Sequence, residues 1–276
     1  MLKPYNYLLI SFLLFIATSL ALSCGPKPIK QFDSFTADKS STFKIIKDRD
    51  TLKVGTTGDF MPFSYKINSN KTYAGLDIEM ANTFAKSLDV NVEFVETSWS
   101  TLMEDLMNGK FDIGMSGITI TPERQTKAFF SIPVLSSGKA AITRDENSLH
   151  YNSIEKINKE NVRVIFNPGG TNEAFARANF PKATLILNDN NLDIFQKLVN
   201  GEADVMVTDA VETLMQEQIH KELEAVNPNQ PFNSFDFGYL IKKDAVFKTV
   251  IDNWVFSQQK DSVILKLLQN EITKLN

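Results

Sequence analysis

The chain has 276 residues, 43% of them hydrophobic and 22% charged, with 12 glycines and 10 prolines, which describes a globular protein and excludes disordered and fibrous classes. A net charge of −4, from 29 basic and 33 acidic residues, argues against a nucleic-acid partner, which needs a basic face. The single cysteine, Cys24, excludes an internal disulfide framework and a thiolate zinc site, and His150 and His220 have no second ligand at regular spacing to make a metal site.

Residues 1–23 read as a signal peptide. Lys3 supplies a thin positive region, and residues 8–22 are apolar apart from Ser11, Thr18 and Ser19. That run is shorter than the ~20 residues of a membrane span but suits a secretory h-region. It ends at Ala21-Leu22-Ser23-Cys24-Gly25, which resembles a bacterial lipoprotein cleavage box with Cys24 as the acylated residue. An ordinary cleaved signal peptide that contains a cysteine is the other reading. Under both, the chain leaves the cytoplasm. Residues 24–42, with Pro26, Pro28 and several Ser and Lys residues, are expected to form a flexible tether.

Beyond it the pattern alternates between strand and helix. Leu52-Lys53-Val54 predicts a short strand running into Gly55-Thr56-Thr57-Gly58. Leu76, Met80, Phe84 and Leu88 recur every four residues, an apolar helical stripe. Val90, Val92 and Phe94 alternate as a strand does. Ser98 is expected to cap a helix that Gly109 closes, and residues 111–115 to form another buried strand. Such alternation predicts a mostly parallel sheet with covering helices.

An internal repeat adds to this. Leu106-Met107-Asn108-Gly109-Lys110-Phe111-Asp112-Ile113 matches Leu198-Val199-Asn200-Gly201-Glu202-Ala203-Asp204-Val205 in helix end, Asn-Gly stop, aspartate and strand. Read as more than chance similarity, it places a related helix–turn–strand unit in each of two lobes. Ligands of open α/β sheets bind outside the carboxyl ends of strands, and clefts between domains are favoured sites. Two such lobes would close on a small ligand about a hinge.

Thr119-Ile120-Thr121-Pro122-Glu123-Arg124 and Phe130-Ser131-Ile132-Pro133 resemble the periplasmic amino-acid-binding proteins of ABC transporters. The resemblance runs from about Leu52 to Lys243 and implies the two-lobed, type II periplasmic binding protein-like α/β fold, with lobes expected at 43–138 and 139–237 and with 238–276 returning to the first. A narrower match lies within it. Gly55-Thr56-Thr57-Gly58-Asp59, Pro62-Phe63-Ser64-Tyr65, Met115-Ser116-Gly117-Ile118, Asn167-Pro168-Gly169-Gly170-Thr171-Asn172-Glu173 and Phe175-Ala176-Arg177-Ala178-Asn179 resemble the cyclohexadienyl dehydratases. Those enzymes convert prephenate to phenylpyruvate and arogenate to phenylalanine, a lyase reaction with no redox step and so no nicotinamide or flavin cofactor.

Under that resemblance the chemistry needs carboxylate binding, a dry ring pocket and a proton donor for the departing hydroxyl. Glu173, in the first turn of a helix after a Gly-Gly turn, is the expected general acid. A helix start favours its ionised form, so the role requires a desolvated cleft, and a simple helix-capping role is the alternative. Arg124 is the expected carboxylate clamp, its planar fork matching two oxygens, against a surface helix residue as the plain alternative. Ser116, Gly117 and Thr119 would add donors from the first lobe and Thr171 one from the second. Phe60 and Trp99 fall where the binding proteins enclose the ligand side chain, although such aromatics are often core. Asp209 matches the aspartate that holds an α-ammonium, or else is a helix N-cap. Thr57 stands where the transport family usually has aspartate, which suits a keto acid. Asp59 receives no role. The competing reading is a substrate-binding lipoprotein that hands an amino acid to an ABC transporter permease and performs no chemistry.

Overall fold

The computed structural model describes residues 41–67 and 72–274. The signal-peptide and lipidation expectations, Cys24 among them, lie outside these residues. The expected tether ends early: Ser41 accepts from Lys44 N at 3.3 Å and caps the helix Thr42–Arg49. A capped helix start is fixed in conformation, so residues 41 and 42 are not tether.

The described chain builds two five-stranded sheets. In the first, Thr51–Thr56 lies between Asn91–Glu96 and Ile113–Gly114, parallel to both. Leu240–Ile241 and Phe129–Phe130 extend that sheet in antiparallel pairing. In the second, Arg163–Phe166 lies between Thr184–Leu187 and Val205–Asp209, again parallel. Lys139–Arg144 and then Leu223–Val226 complete it, antiparallel. The chain leaves the first sheet through Leu135–Ser137 and returns through Phe235–Phe237, and these two segments pair with each other.

The helical stripe packs as its spacing predicts. Leu76, Met80 and Phe84 of the helix Leu76–Ser87 are fully buried in the first lobe's core, beside Leu52, Val54 and Trp254. Val164, Phe166, Val205 and Val207 build the second lobe's core with Phe180. At about 1.5–3 kcal/mol for each fully buried large side chain, these clusters supply the main driving force of both lobes.

The repeat is a shared structural device. Asn108 and Asn200 both end their helices, Leu102–Met107 and Ile194–Val199, and Gly109 and Gly201 both follow at positive φ, +72° and +74°. The aspartates three residues on then do the same work: Asp112 Oδ2 accepts from Lys53 N at 2.8 Å, and Asp204 Oδ2 from Arg163 N at 2.8 Å. Each carboxylate ties the start of the neighbouring parallel strand to its own. Two local expectations change. The helix expected to start at Ser98 starts at Leu102, because Ser98 Oγ accepts from Thr101 N at 3.2 Å and holds a preceding turn. The strand expected over 111–115 is confined to Ile113–Gly114.

Candidate functional site

A narrow cavity of about 20 Å³ lies between the lobes. Phe60, Trp99, Gly117 and Thr119 line it from the first lobe. Asn167, Gly170, Thr171 and Asn172 line it from the second, together with Asn191, Asp209 and Glu212. The first lobe supplies mainly aromatic surface and the second mainly polar atoms.

The aromatic side is held rigidly. Phe60 is 4% exposed and stands edge-on to Trp99 at 5.7 Å between ring centroids. Trp99 Nε1 donates to Asp59 Oδ1 at 3.1 Å, so Asp59 orients the indole. Gly117 sits at φ +61°, and a Cβ there would stand 2.5 Å from Phe60 Cε1, so only glycine allows the ring to approach this turn. The Gly117 N–H donates to Asp77 Oδ2 at 2.6 Å, and Tyr239 Oη donates to Asp77 Oδ1 at 3.3 Å. Asp77 is buried, and desolvation pushes its carboxyl up to about 7.

The polar side is a connected network. Lys139 is 2% exposed, and its Nζ donates to Asp209 Oδ1 at 2.5 Å, to Thr171 Oγ1 at 2.9 Å and to Asn172 Oδ1. Asn172 Nδ2 donates to Thr208 Oγ1 at 3.0 Å, and Thr208 Oγ1 donates to Glu212 Oε2 at 2.5 Å. Glu212 is 1% exposed, and its Oε1 has no hydrogen-bond partner among the described residues. Desolvation pushes the Glu212 carboxyl up to about 8, with the charges of Asp209 and Asp59 adding to the rise and Thr208 and Lys139 opposing it. At neutral pH Glu212 is therefore mainly a neutral acid beside the cavity.

These positions revise several expectations. Glu173 does not line the cavity. Its Oε2 accepts from Gly169 N at 2.7 Å and its Oε1 from Arg177 Nε at 2.8 Å. The Gly169 N–H, with Arg177 second, holds its carboxyl below the usual glutamate value. Glu173 is thus a partly exposed helix-start residue paired with a backbone N–H and with Arg177. Ser116 is fully buried with its hydroxyl turned to Thr57, 3.2 Å from Thr57 N and 2.8 Å from Thr57 Oγ1, and does not line the cavity. Thr57 itself lines a second opening, which it shares with Asp59, Trp99 and Asn191. Asp209 is the N-cap residue of the helix Ala210–Ile219 by position, yet its side chain makes no capping bond and is paired with Lys139.

Arg124 is half-buried and lines a further cavity that shares Trp99, Gly170 and Thr171 with the central one. It spends one N–H on the Thr119 carbonyl, at 2.8 Å. Desolvation, the largest influence, lowers its guanidinium from the ordinary value, while Glu123 and Asp209 act the other way. The remainder of the fork suits an anion at the mouth. Phe60, Trp99, Gly117, Thr119, Thr171 and Asp209 do meet around one cavity.

Glu212 and Lys139 were missed in the sequence, as were Asn167, Asn172 and Asn191. A signal for Glu212 existed: it lies one turn before Met215 and Gln216, which are buried on the same helix. An acid on a buried face needs a reason. Among the described residues no cluster of three or more His, Cys, Asp or Glu side chains is arranged to hold a metal ion.

Residues 52–273 match the bacterial extracellular solute-binding proteins, family 3, and the chain belongs to that family. Within it, the chain is 42% identical to the cyclohexadienyl dehydratase of Pseudomonas aeruginosa over 237 residues, covering 86% of this chain and 88% of that one. It is also 26% identical to the glutamine-binding protein of an ABC transporter from Bacillus subtilis, covering 87% and 86%. Among solved structures, an ancestral amino acid-binding protein described as a precursor of cyclohexadienyl dehydratase superposes with a TM-score of 0.78 at 38% identity, covering 84% of this chain and all of that one.

Proposed function

We propose that the protein is an exported dehydratase that converts prephenate to phenylpyruvate, arogenate to phenylalanine, or both, with Glu212 as general acid. The observation that carries this reading is a buried acid on the cavity wall: Glu212 lines the cavity and is 1% exposed. Its Oε2 lies 2.5 Å from Thr208 Oγ1. Oε1 is the buried oxygen without a partner. A carrier that only binds an amino acid has no need of a neutral carboxylic acid there.

The step balances without a further reactant. The acid proton of Glu212 passes to the substrate's C4 hydroxyl, and the C4–O bond breaks to release water. The bond from the ring to its carboxylate breaks as well, carbon dioxide leaves, and that electron pair completes the aromatic ring. Glu212 is left as a carboxylate and regains its proton from solvent before the next cycle. Phe60 and Trp99 shield the ring from water, and Arg124 receives carboxylate. General acid catalysis of this kind contributes roughly 10²–10⁴-fold.

Asp209 supports a keto acid as ligand. The aspartate that would receive a ligand ammonium already holds the ammonium of Lys139. The competing reading, an amino-acid carrier, draws on the glutamine-binding relative, at a lower identity. Incubating purified protein with prephenate and following phenylpyruvate absorbance under alkali separates the two. Turnover is expected; tight binding of an amino acid with no turnover returns the protein to the transport class.

Export and lipidation of Cys24 belong to the same proposal and have their own test. A fatty-acid probe should label cells carrying the wild type and leave Cys24→Ser unlabelled. An unlabelled wild type removes the anchor and leaves secretion untouched.

A further inference from the structure

Asn191 is 5% exposed and lies in the second lobe, just before the helix Ile194–Val199. Its Nδ2 donates to the backbone carbonyl of Asp59 in the first lobe, at 3.0 Å. Because that partner is a carbonyl oxygen, the amide nitrogen must face it, and the orientation of the side chain is fixed. Oδ1 then points away from the bond, and it has no hydrogen-bond partner among the described residues. Asn191 lines the central cavity together with Glu212, Phe60 and Trp99. A buried carbonyl oxygen with two empty lone pairs on a ligand cavity calls for a donor.

We propose that Asn191 is a specificity-determining residue: its Nδ2 latches the second lobe to the Asp59 carbonyl, and its Oδ1 accepts a hydrogen bond from a hydroxyl or ammonium donor on the bound ligand. The inference rests on the small-molecule site proposed above. It extends that reading by assigning discrimination between donor-bearing ligands and an aromatic keto acid to one amide. Prephenate carries a ring hydroxyl, phenylalanine carries an ammonium, and phenylpyruvate carries neither. A ligand with a donor completes the Asn191 pair, and a ligand without one leaves it unmade, which favours release of an aromatic keto acid.

Two consequences are separable because the latch and the acceptor are different atoms. Loss of the latch weakens every ligand equally, since all depend on lobe closure. Loss of the acceptor weakens only ligands that carry the donor. The test measures calorimetric affinities for prephenate, L-phenylalanine and phenylpyruvate in a Glu212→Gln background, which slows turnover, with and without Asn191→Ala. Asn191→Leu, which keeps the volume and removes both polar atoms, serves if the alanine variant does not fold. The expected result is at least a tenfold greater loss for one donor-bearing ligand than for phenylpyruvate. A selective loss for prephenate identifies the hydroxyl as the donor, and one for L-phenylalanine identifies the ammonium. Equal weakening of all three, or no change in any, overturns the inference. Wild-type protein that binds these ligands without turning over prephenate overturns only the dehydratase reading, whereas a wild type that binds none overturns both.

Discussion

Thr208 Oγ1 stands 2.5 Å from Oε2 of Glu212, four residues along the same strand-to-helix corner. That bond anchors one oxygen of the buried acid, while Oε1 has no partner among the described residues. Asn172 closes the chain by donating to Thr208.

Glu212→Gln keeps the shape of the side chain and its bond from Thr208, but cannot supply an acid proton. Turnover of prephenate should fall by about 10²–10⁴-fold, with kcat and kcat/KM falling together, because the lost interaction belongs to the transition state. Glu173→Gln is the control, since Glu173 is ionised and outside the cavity; its kcat should stay within about threefold of wild type. The reverse pattern in steady-state kinetics would falsify the assignment of the acid.

The pH dependence has a definite sign. Only protonated Glu212 donates, so activity should decline as pH rises through about 8. Stability follows the same direction. The Glu212 carboxyl is raised from 4.5 to about 8, so its favourable contribution is complete below about 4.5 and lost as pH climbs through 8. At ~1.4 kcal/mol per pH unit the gap is worth on the order of 4–5 kcal/mol. Asp77, raised from 3.8 to about 7, adds a loss of the same sign at lower pH. Urea melts from pH 4.5 to 8.5 should show wild type losing ground to Glu212→Gln, and a flat difference would contradict the burial of a neutral acid.

Arg124→Leu removes a charged fork from a half-buried position beside the mouth of the cavity. A partly desolvated contact to a carboxylate is worth roughly 2–5 kcal/mol, so affinity for phenylpyruvate should drop at least tenfold. Calorimetry on the folded variant is the check, and affinity equal to wild type would put the anion elsewhere.

Gly117→Ala tests the packing of the turn against Phe60. The positive φ and the 2.5 Å approach to Phe60 Cε1 should together cost on the order of 1–3 kcal/mol in a denaturant melt. Ligand affinity should fall too, because relief requires the Phe60 ring to move into the cavity it lines.

Much of the scaffold was legible because its signals are local. The spacing of Leu76, Met80 and Phe84 and the two Asn-Gly helix stops are written within a few residues each, and both reappear in the structure. The site was legible only in part, because its logic is non-local. Glu173 and Glu212 both sit in the first turn of a helix after a strand, and locally only Met215, one turn on, marks the face of Glu212 as a buried one. What separates them is surroundings: Arg177 and a backbone N–H for one, and for the other burial beside Asp209. Lys139 is likewise an ordinary lysine after a glycine until Thr171, Asn172 and Asp209, brought from two other segments, close around it.

The pairing of Leu135–Ser137 with Phe235–Phe237 brings the start and end of the intervening stretch side by side. The whole second lobe is in effect a cassette, spliced into the first at a single seam. Lys139, Asn172, Asn191 and Glu212 all travel inside it, while Phe60, Trp99 and Arg124 remain in the host. Exchange of coding sequence at that seam would replace Glu212 and the network around it in one event and leave Phe60, Trp99 and Arg124 in place, so the two walls of the cavity are encoded on separable stretches of gene.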